Sequence, residues 1–173
     1  IINGGVHANN SLRIQEFMIR PDKAETFEES LSICFLVIQK LKNLIKSKNL
    51  TTTVGDEGGF APNLANNEIA IEFIIESISK AGFEPGKDVC ICLDVAANEL
   101  FKNKKYSIHS KNFTTIDKTI DKYVKLIKKY KIKSIEDPFS ENDWNSWIKF
   151  TQNCGLNTQI VGDDLYVTNL ERL

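Results

Sequence analysis

The sequence predicts an α/β protein in which parallel strands alternate with helices, and two observations lead there. Three short apolar runs each end on a carboxylate: Val89 to Asp94, Ile132 to Glu136 and Gln159 to Asp163. The chain between one run and the next is long enough for a crossover helix, and it carries apolar residues at the helical rhythm. Parallel strands joined by crossovers all point the same way, so their carboxyl ends gather on one rim. With 173 residues, 42% of them hydrophobic, the chain can bury one sizeable core.

The elements follow in order. The segment from Ile14 to Arg20 reads as a strand, closed by Pro21. Residues 24–46 carry Phe27, Leu31, Phe35, Ile38, Leu41 and Ile45 at helical spacing, which predicts an amphipathic helix with that face inward. A second helix is expected over 67–80, with Ile71, Ile74, Ile75 and Ile78 inward and Gly82 ending it. The stretch from Gly55 to Pro62 between them is too glycine-rich for regular structure. After the strand ending at Asp94, a small hairpin is expected, with Glu99 to Phe101 and Tyr106 to His109 about the turn Asn103-Lys104. A third helix spans 115–130, with Ile116, Ile120, Tyr123 and Ile127 on one face and capping-box spacing at Thr114 and Asp117. The strand over 132–136 stops at Asp137-Pro138, a short helix follows around 144–151, and the last strand closes at Asp163-Asp164. Two helices in succession are unusual for a plain (β/α)₈ barrel, and periodicity alone does not distinguish an open sheet from a closed one. The chain begins at Ile1, its only methionine is Met18, and Thr168-Asn169 looks like a helix cap a turn before the last residue. The expectation is an internal portion of a longer protein.

Composition excludes several classes of partner. Lys and Arg number 22 against 23 Asp and Glu, so no general attraction to nucleic acid or an anionic membrane follows. The basic stretch from Lys125 to Lys133 is interleaved with Leu126, Ile127 and Ile132 and reads as the solvated side of a helix entering a strand. No run approaches the length of a membrane span, and the residues from Ile1 onward are not expected to act as a signal peptide. Cys34, Cys90, Cys92 and Cys154 form no CxxC pair, and buried reduced thiols are expected.

The chemistry lies in the strand-end acids and two glycine-rich loops. Asp94, Glu136 and Asp163 on one rim would form a cage of hard oxygens suited to Mg²⁺ or a similar divalent cation. Helix capping or plain solvation is the competing account of each acid, and the neighbouring Asp137 and Asp164 could equally orient the cage or cap a helix. Five of the nine glycines lie in the loops around His7 and Glu57, where they allow sharp turns and close approach of a ligand. Glu57 could serve as an acid or base, or simply sit in a tight turn. His7 could meet a phosphate or take part in proton transfer, or be merely solvated. His109 has no acidic or cysteine neighbour at ligand spacing and receives no role.

Six motifs occur in fixed order: Asn3-Gly4-Gly5-Val6-His7-Ala8, Gln15-Glu16-Phe17-Met18, Gly55-Asp56-Glu57-Gly58-Gly59-Phe60-Ala61-Pro62, Leu93-Asp94-Val95-Ala96-Ala97, Ser134-Ile135-Glu136-Asp137-Pro138 and Gly162-Asp163-Asp164-Leu165. Together they resemble the enolase (phosphopyruvate hydratase) family in a bacterial-type form, over essentially the whole chain. The resemblance implies part of a ββαα(βα)₆ TIM-type barrel truncated at both ends. Residues 1–173 would then belong to the C-terminal catalytic domain, with the N-terminal domain and the rest of the barrel outside the chain. It implies a Mg²⁺-dependent lyase of glycolysis and gluconeogenesis that interconverts 2-phosphoglycerate and phosphoenolpyruvate. By position, Asp94, Glu136 and Asp163 would hold Mg²⁺. Glu57 would act with Glu16 in protonating the departing hydroxyl, and His7, Gln15, Glu16 and Glu57 would meet substrate. The family's lysine base, and the residues that grip phosphate and carboxylate, would lie outside the chain, so the chain alone is expected to be inactive. A cytoplasmic homo-oligomer with some cell-surface or secreted protein is the further implication. Two alternatives stand beside it: another enolase-superfamily lyase, which would share the acid cage but not both loops, and a non-catalytic binding role.

Overall fold

The computed structural model describes residues 1–173, and four helices pack against one mixed five-stranded sheet. The sheet contains β1 (Ile2–Asn3), β2 (Glu16–Arg20), β3 (Cys90–Asp94), β6 (Ser134–Glu136) and β7 (Gln159–Val161), in the order β1-β2-β3-β6-β7. β3, β6 and β7 are parallel, as crossover helices require, whereas β2 is antiparallel to both β1 and β3. The helices are α1 (Phe27–Ser47), α2 (Asn67–Lys80), α3 (Ile116–Tyr130) and α4 (Trp144–Cys154). The sequence strand, strand, helix, helix, then strand–helix repeats is the opening of the ββαα(βα)₆ pattern. β1 has no signature in the sequence; it contains only two residues, too few for a pattern to register.

Side-chain alternation sorts the sheet into two faces. Phe17, Leu93 and Ile135 are registered partners, all completely buried beneath the helices. The adjacent register row is polar: Asn3, Glu16, Asp94 and Glu136 stand side by side across β1, β2, β3 and β6. Below it come Met18, Cys92 and Ser134. One face of the sheet thus forms the hydrophobic core, and the end of the other face forms the acidic row.

Local chemistry fixes the helix ends. Thr26 caps α1 by accepting the Glu29 N–H at 3.1 Å, and Asn66 caps α2 by accepting that of Ile69 at 2.9 Å. Gly82, at φ +90, turns the chain out of α2. The Thr114/Asp117 capping box does not form: Thr115 is the N-cap of α3 without a side-chain bond, and the Thr114 hydroxyl pairs with Thr119. A hairpin forms about the expected turn, with Asn103 and Lys104 both at positive φ, but its strands are the shorter β4 (Phe101–Lys102) and β5 (Lys105–Tyr106). Glu99 and Leu100 lie in a 3-10 turn, and residues 107–109 are not in a strand.

The inward face of α1 differs from expectation. Ile33, Val37, Leu41, Leu44 and Ile45 are buried, while Phe27, Leu31 and Phe35 are exposed. The helix carries two apolar stripes at the same spacing, and they converge only at Leu41 and Ile45. Cys34 is half-buried; the other three thiols are buried, and none is in a disulfide. Around 168–169 the chain makes turns rather than starting a helix. No helix is long and apolar enough to cross a membrane.

A cluster of aromatic side chains stiffens the segment after β6. Phe139 meets Tyr106, Tyr123 and Phe150 at centroid distances of 5.3, 5.8 and 5.6 Å. The Tyr123 hydroxyl donates to the Pro138 carbonyl at 3.0 Å, and the Ser140 N–H donates to the Tyr106 hydroxyl at 3.1 Å. The Asp137-Pro138 corner is therefore held by the core directly beneath the acidic row.

Candidate active site

At the carboxyl end of β3 and β6 the chain opens into a cleft of about 480 Å³. Its walls carry Glu16, Glu57, Asp94, Glu99, Glu136, Asp163 and Asp164, with His7 the only basic side chain and no lysine or arginine. His7, Gln15, Glu16, Glu57, Asp94, Glu136 and Asp163, all singled out from the sequence, line this one cavity. Two sub-clusters divide it. The ligating atoms of His7, Glu16 and Glu57 converge at one end, and those of Asp94, Glu136 and Asp137 at the other.

The two glycine-rich loops build the first sub-cluster. A 3-10 turn over Gly5–His7 presents the imidazole. The facing loop is stitched to it: Asp56 N–H donates to the His7 carbonyl at 3.0 Å, and Gly59 N–H donates to the buried Asn3 Oδ1 at 2.9 Å. A Cβ on Gly55 would sit 2.5 Å from the His7 carbonyl oxygen, so only glycine permits this approach. The loops bring His7 Nδ1 to 3.3 Å from Glu57 Oε1, without the alignment of a hydrogen bond. Glu16, at the start of β2, has its pKa raised by burial and by the nearby Glu57 carboxylate.

The second sub-cluster comes from the sheet register. Asp94 is buried and adjacent to Glu136, and its pKa is pushed up to about 7 by desolvation and then by the Glu136 charge. The Ala96 N–H donates to one of its oxygens at 3.0 Å and only partly offsets this, while Gln15 Nε2 donates to the other at 3.3 Å. Glu136 is also raised, by burial and then by the surrounding acids Asp137 and Asp163. Asp163 is placed differently from expectation. β7 ends at Val161, the residue registered with Glu136, so Asp163 lies beyond the strand on an exposed turn facing the cleft.

Partly desolvated, mutually repelling carboxylates without a cationic side chain are the donor set that a small hard cation stabilises. The sequence model for the family described as "Enolase, C-terminal TIM barrel domain" matches residues 1–173. The chain belongs to the enolase family. A curated relative, Enolase of Pelagibacter ubique (strain HTCC1062), is 66% identical over all 173 residues of the chain, which cover 41% of that relative's length. This chain therefore spans less than half of that enolase.

Some members of the site leave no mark of their own in the sequence. Asn3 stands out there only as part of a motif, yet its amide anchors the Glu57 loop. Asn98 and Glu99 lie on the 3-10 turn Ala97–Leu100, which takes Glu99 out of the expected hairpin and places it on the cleft wall. Nothing in their spacing marks them, because a left-handed Ala96 redirects the chain after β3.

Proposed function

We propose that this chain forms the central part of an enolase catalytic barrel, and that the complete barrel carries out the Mg²⁺-dependent, reversible dehydration of 2-phosphoglycerate to phosphoenolpyruvate. The single observation that carries the reading is the convergence of the His7–Glu16–Glu57 and Asp94–Glu136 groups in one acidic cleft, in a chain of this family.

In this reading Asp94, Glu136 and Asp163 hold Mg²⁺, which supplies the charge stabilisation needed when a proton is removed next to a carboxylate. Enolase-superfamily sites are themselves the standard example of a Lys or His base assisted by one or two Mg²⁺ ions, so that pairing belongs to the superfamily and is not deduced from this chain. Glu57 and Glu16 handle the proton delivered to the departing hydroxyl. The raised pKa of Glu16, caused by burial and the nearby Glu57 carboxylate, supports this, because it moves the carboxyl towards the range where an acid can donate a proton. Gln15 orients Asp94 through its Nε2. His7, beside Glu57 on a loop, meets the substrate and helps exclude water.

The division of roles is tested by two substitutions in the full-length protein. Asp94→Ala should weaken Mg²⁺ binding by more than about 100-fold, beyond the loss of an outer hydrogen bond. Glu57→Gln should leave Mg²⁺ affinity intact and slow dehydration by about 10²–10⁴-fold. Calorimetric Mg²⁺ titration and phosphoenolpyruvate absorbance are the two measurements, and loss of the metal in Glu57→Gln would overturn the assignment.

A further inference from the structure

Asp163 reaches the cleft by a different route from the other two acids assigned to the cation. Asp94 and Glu136 are registered neighbours within the sheet, so the ladder fixes them. Asp163 lies beyond the end of β7, on an exposed turn that no ladder holds. The turn closes on itself through the Tyr166 and Val167 N–H bonds to the Asp163 carbonyl, and one buried side chain ties it to β6. Asp137 accepts the Asp164 N–H at 2.9 Å through Oδ2 and the Leu165 N–H at 3.4 Å through Oδ1.

Asp137 is itself firmly anchored. Its N–H donates to the Val161 carbonyl at 3.0 Å, and its own carbonyl accepts the Ala97 N–H at 3.1 Å. It is 3% exposed and adopts a left-handed backbone with φ 40, a conformation that the surrounding bonds must impose on a non-glycine residue. On the other side of the turn, Asn98 Nδ2 donates to Asp164 Oδ2 at 3.1 Å, while Asn98 Oδ1 accepts the Glu141 N–H at 2.9 Å.

The Asp137 carboxylate is also close enough to Asp94 and Glu136 for all three to share an ion. Two roles therefore compete for it: third ligand, or clamp for the residue that supplies the third ligand. Both Asp137 oxygens already accept backbone N–H groups, whereas Asp163 is exposed and lines the cleft. We propose that Asp137 is a positioning residue that fixes the 163–165 turn through the Asp164 and Leu165 amides, so that Asp163 completes the cage with Asp94 and Glu136. The inference rests on the cation reading given above.

The test combines Mg²⁺ titration by calorimetry with hydrogen–deuterium exchange at Asp164 and Leu165, both on the full-length protein. Asp137→Ala should speed exchange at those two amides and weaken Mg²⁺ binding about 10–100-fold. Asp137→Asn retains one acceptor oxygen, enough for the shorter Asp164 bond, and should keep protection at Asp164 and most of the affinity while exchange at Leu165 speeds. This near-isosteric variant serves if the alanine variant does not fold. In the Asp163→Ala background, Asp137→Ala should cost no further affinity, because it acts through Asp163. If Asp137→Asn loses as much Mg²⁺ as Asp137→Ala while exchange is unchanged, Asp137 is a ligand and the inference falls. A double variant weaker than either single variant has the same meaning. If Asp94→Ala leaves Mg²⁺ affinity intact, the cation reading fails and takes the inference with it, whereas exchange alone still reports whether the clamp exists.

Discussion

A single methyl group at Gly55 would separate the two loops that carry His7 and Glu57, because it would sit 2.5 Å from the His7 carbonyl oxygen. Residues of this kind set the site without touching a substrate. Another residue governs stability instead. His109 packs its ring against Tyr123 at 5.9 Å, and its Nε2 is buried without a hydrogen-bond partner. Desolvation lowers its pKa from 6.5 to about 4, with Glu68 opposing and Lys122 reinforcing the shift. The unfolded chain thus binds this proton more tightly than the folded one between pH 6.5 and 4. The stability from keeping the imidazole neutral is complete above pH 6.5 and is lost progressively as the pH falls towards 4. About 2 kcal/mol is at stake, a figure reduced for the part of the ring that water reaches. Asp94 and Glu136, with raised pKa values, shift stability the other way over this range, so the readout is the difference between wild type and His109→Phe. In urea unfolding at pH 7 and pH 5, wild type should lose roughly half of that amount relative to the variant.

Helix ends and faces differ in how plainly the sequence announces them. The range of α2 is legible because isoleucines recur at helical spacing, of which Ile71, Ile74 and Ile78 are buried and Ile75 only partly so, and because Gly82 stops it. A Cβ on Gly82 would meet nothing within 4 Å, so Gly82→Ala isolates the cost of the left-handed backbone. That variant should lose roughly 1–2 kcal/mol in urea unfolding. α1 is legible in extent but not in orientation, since Phe27, Leu31 and Phe35 repeat with the same period as Ile33, Val37 and Leu41. Periodicity identifies a helix; only the tertiary partner chooses between two stripes. Asp163 teaches a similar lesson for strands. The apolar run before it shows that a strand is near, but the ladder stops at Val161, and the turn beyond depends on Asp137 from another element. A bond between distant elements leaves no local pattern.

At the scale of the whole molecule, the order of β1, β2 and the parallel strands makes the barrel pattern recognisable through its motifs rather than through its periodicity. The cleft has seven acids, one histidine and no lysine or arginine. Such a lining attracts cations and by itself repels a phosphorylated carboxylate, so in the proposed reading an anionic substrate needs the bound cation and further basic groups from outside these walls. The 173-residue chain assayed alone should therefore form no detectable phosphoenolpyruvate, and absorbance at saturating Mg²⁺ checks this. The reversed direction of β2 has one more consequence. In β3, β6 and β7 it is the downstream connection that reaches the rim, whereas in β2 the residues before Glu16 do so and those after Arg20 leave at the opposite end. The exposed link between Pro21 and Thr26 is thus separated from the chemistry by the length of a five-residue strand, roughly 15 Å. For this one strand the permissive place to splice in a tag, a fluorophore or foreign sequence is after it, and every residue inserted before it would fall on the reacting side.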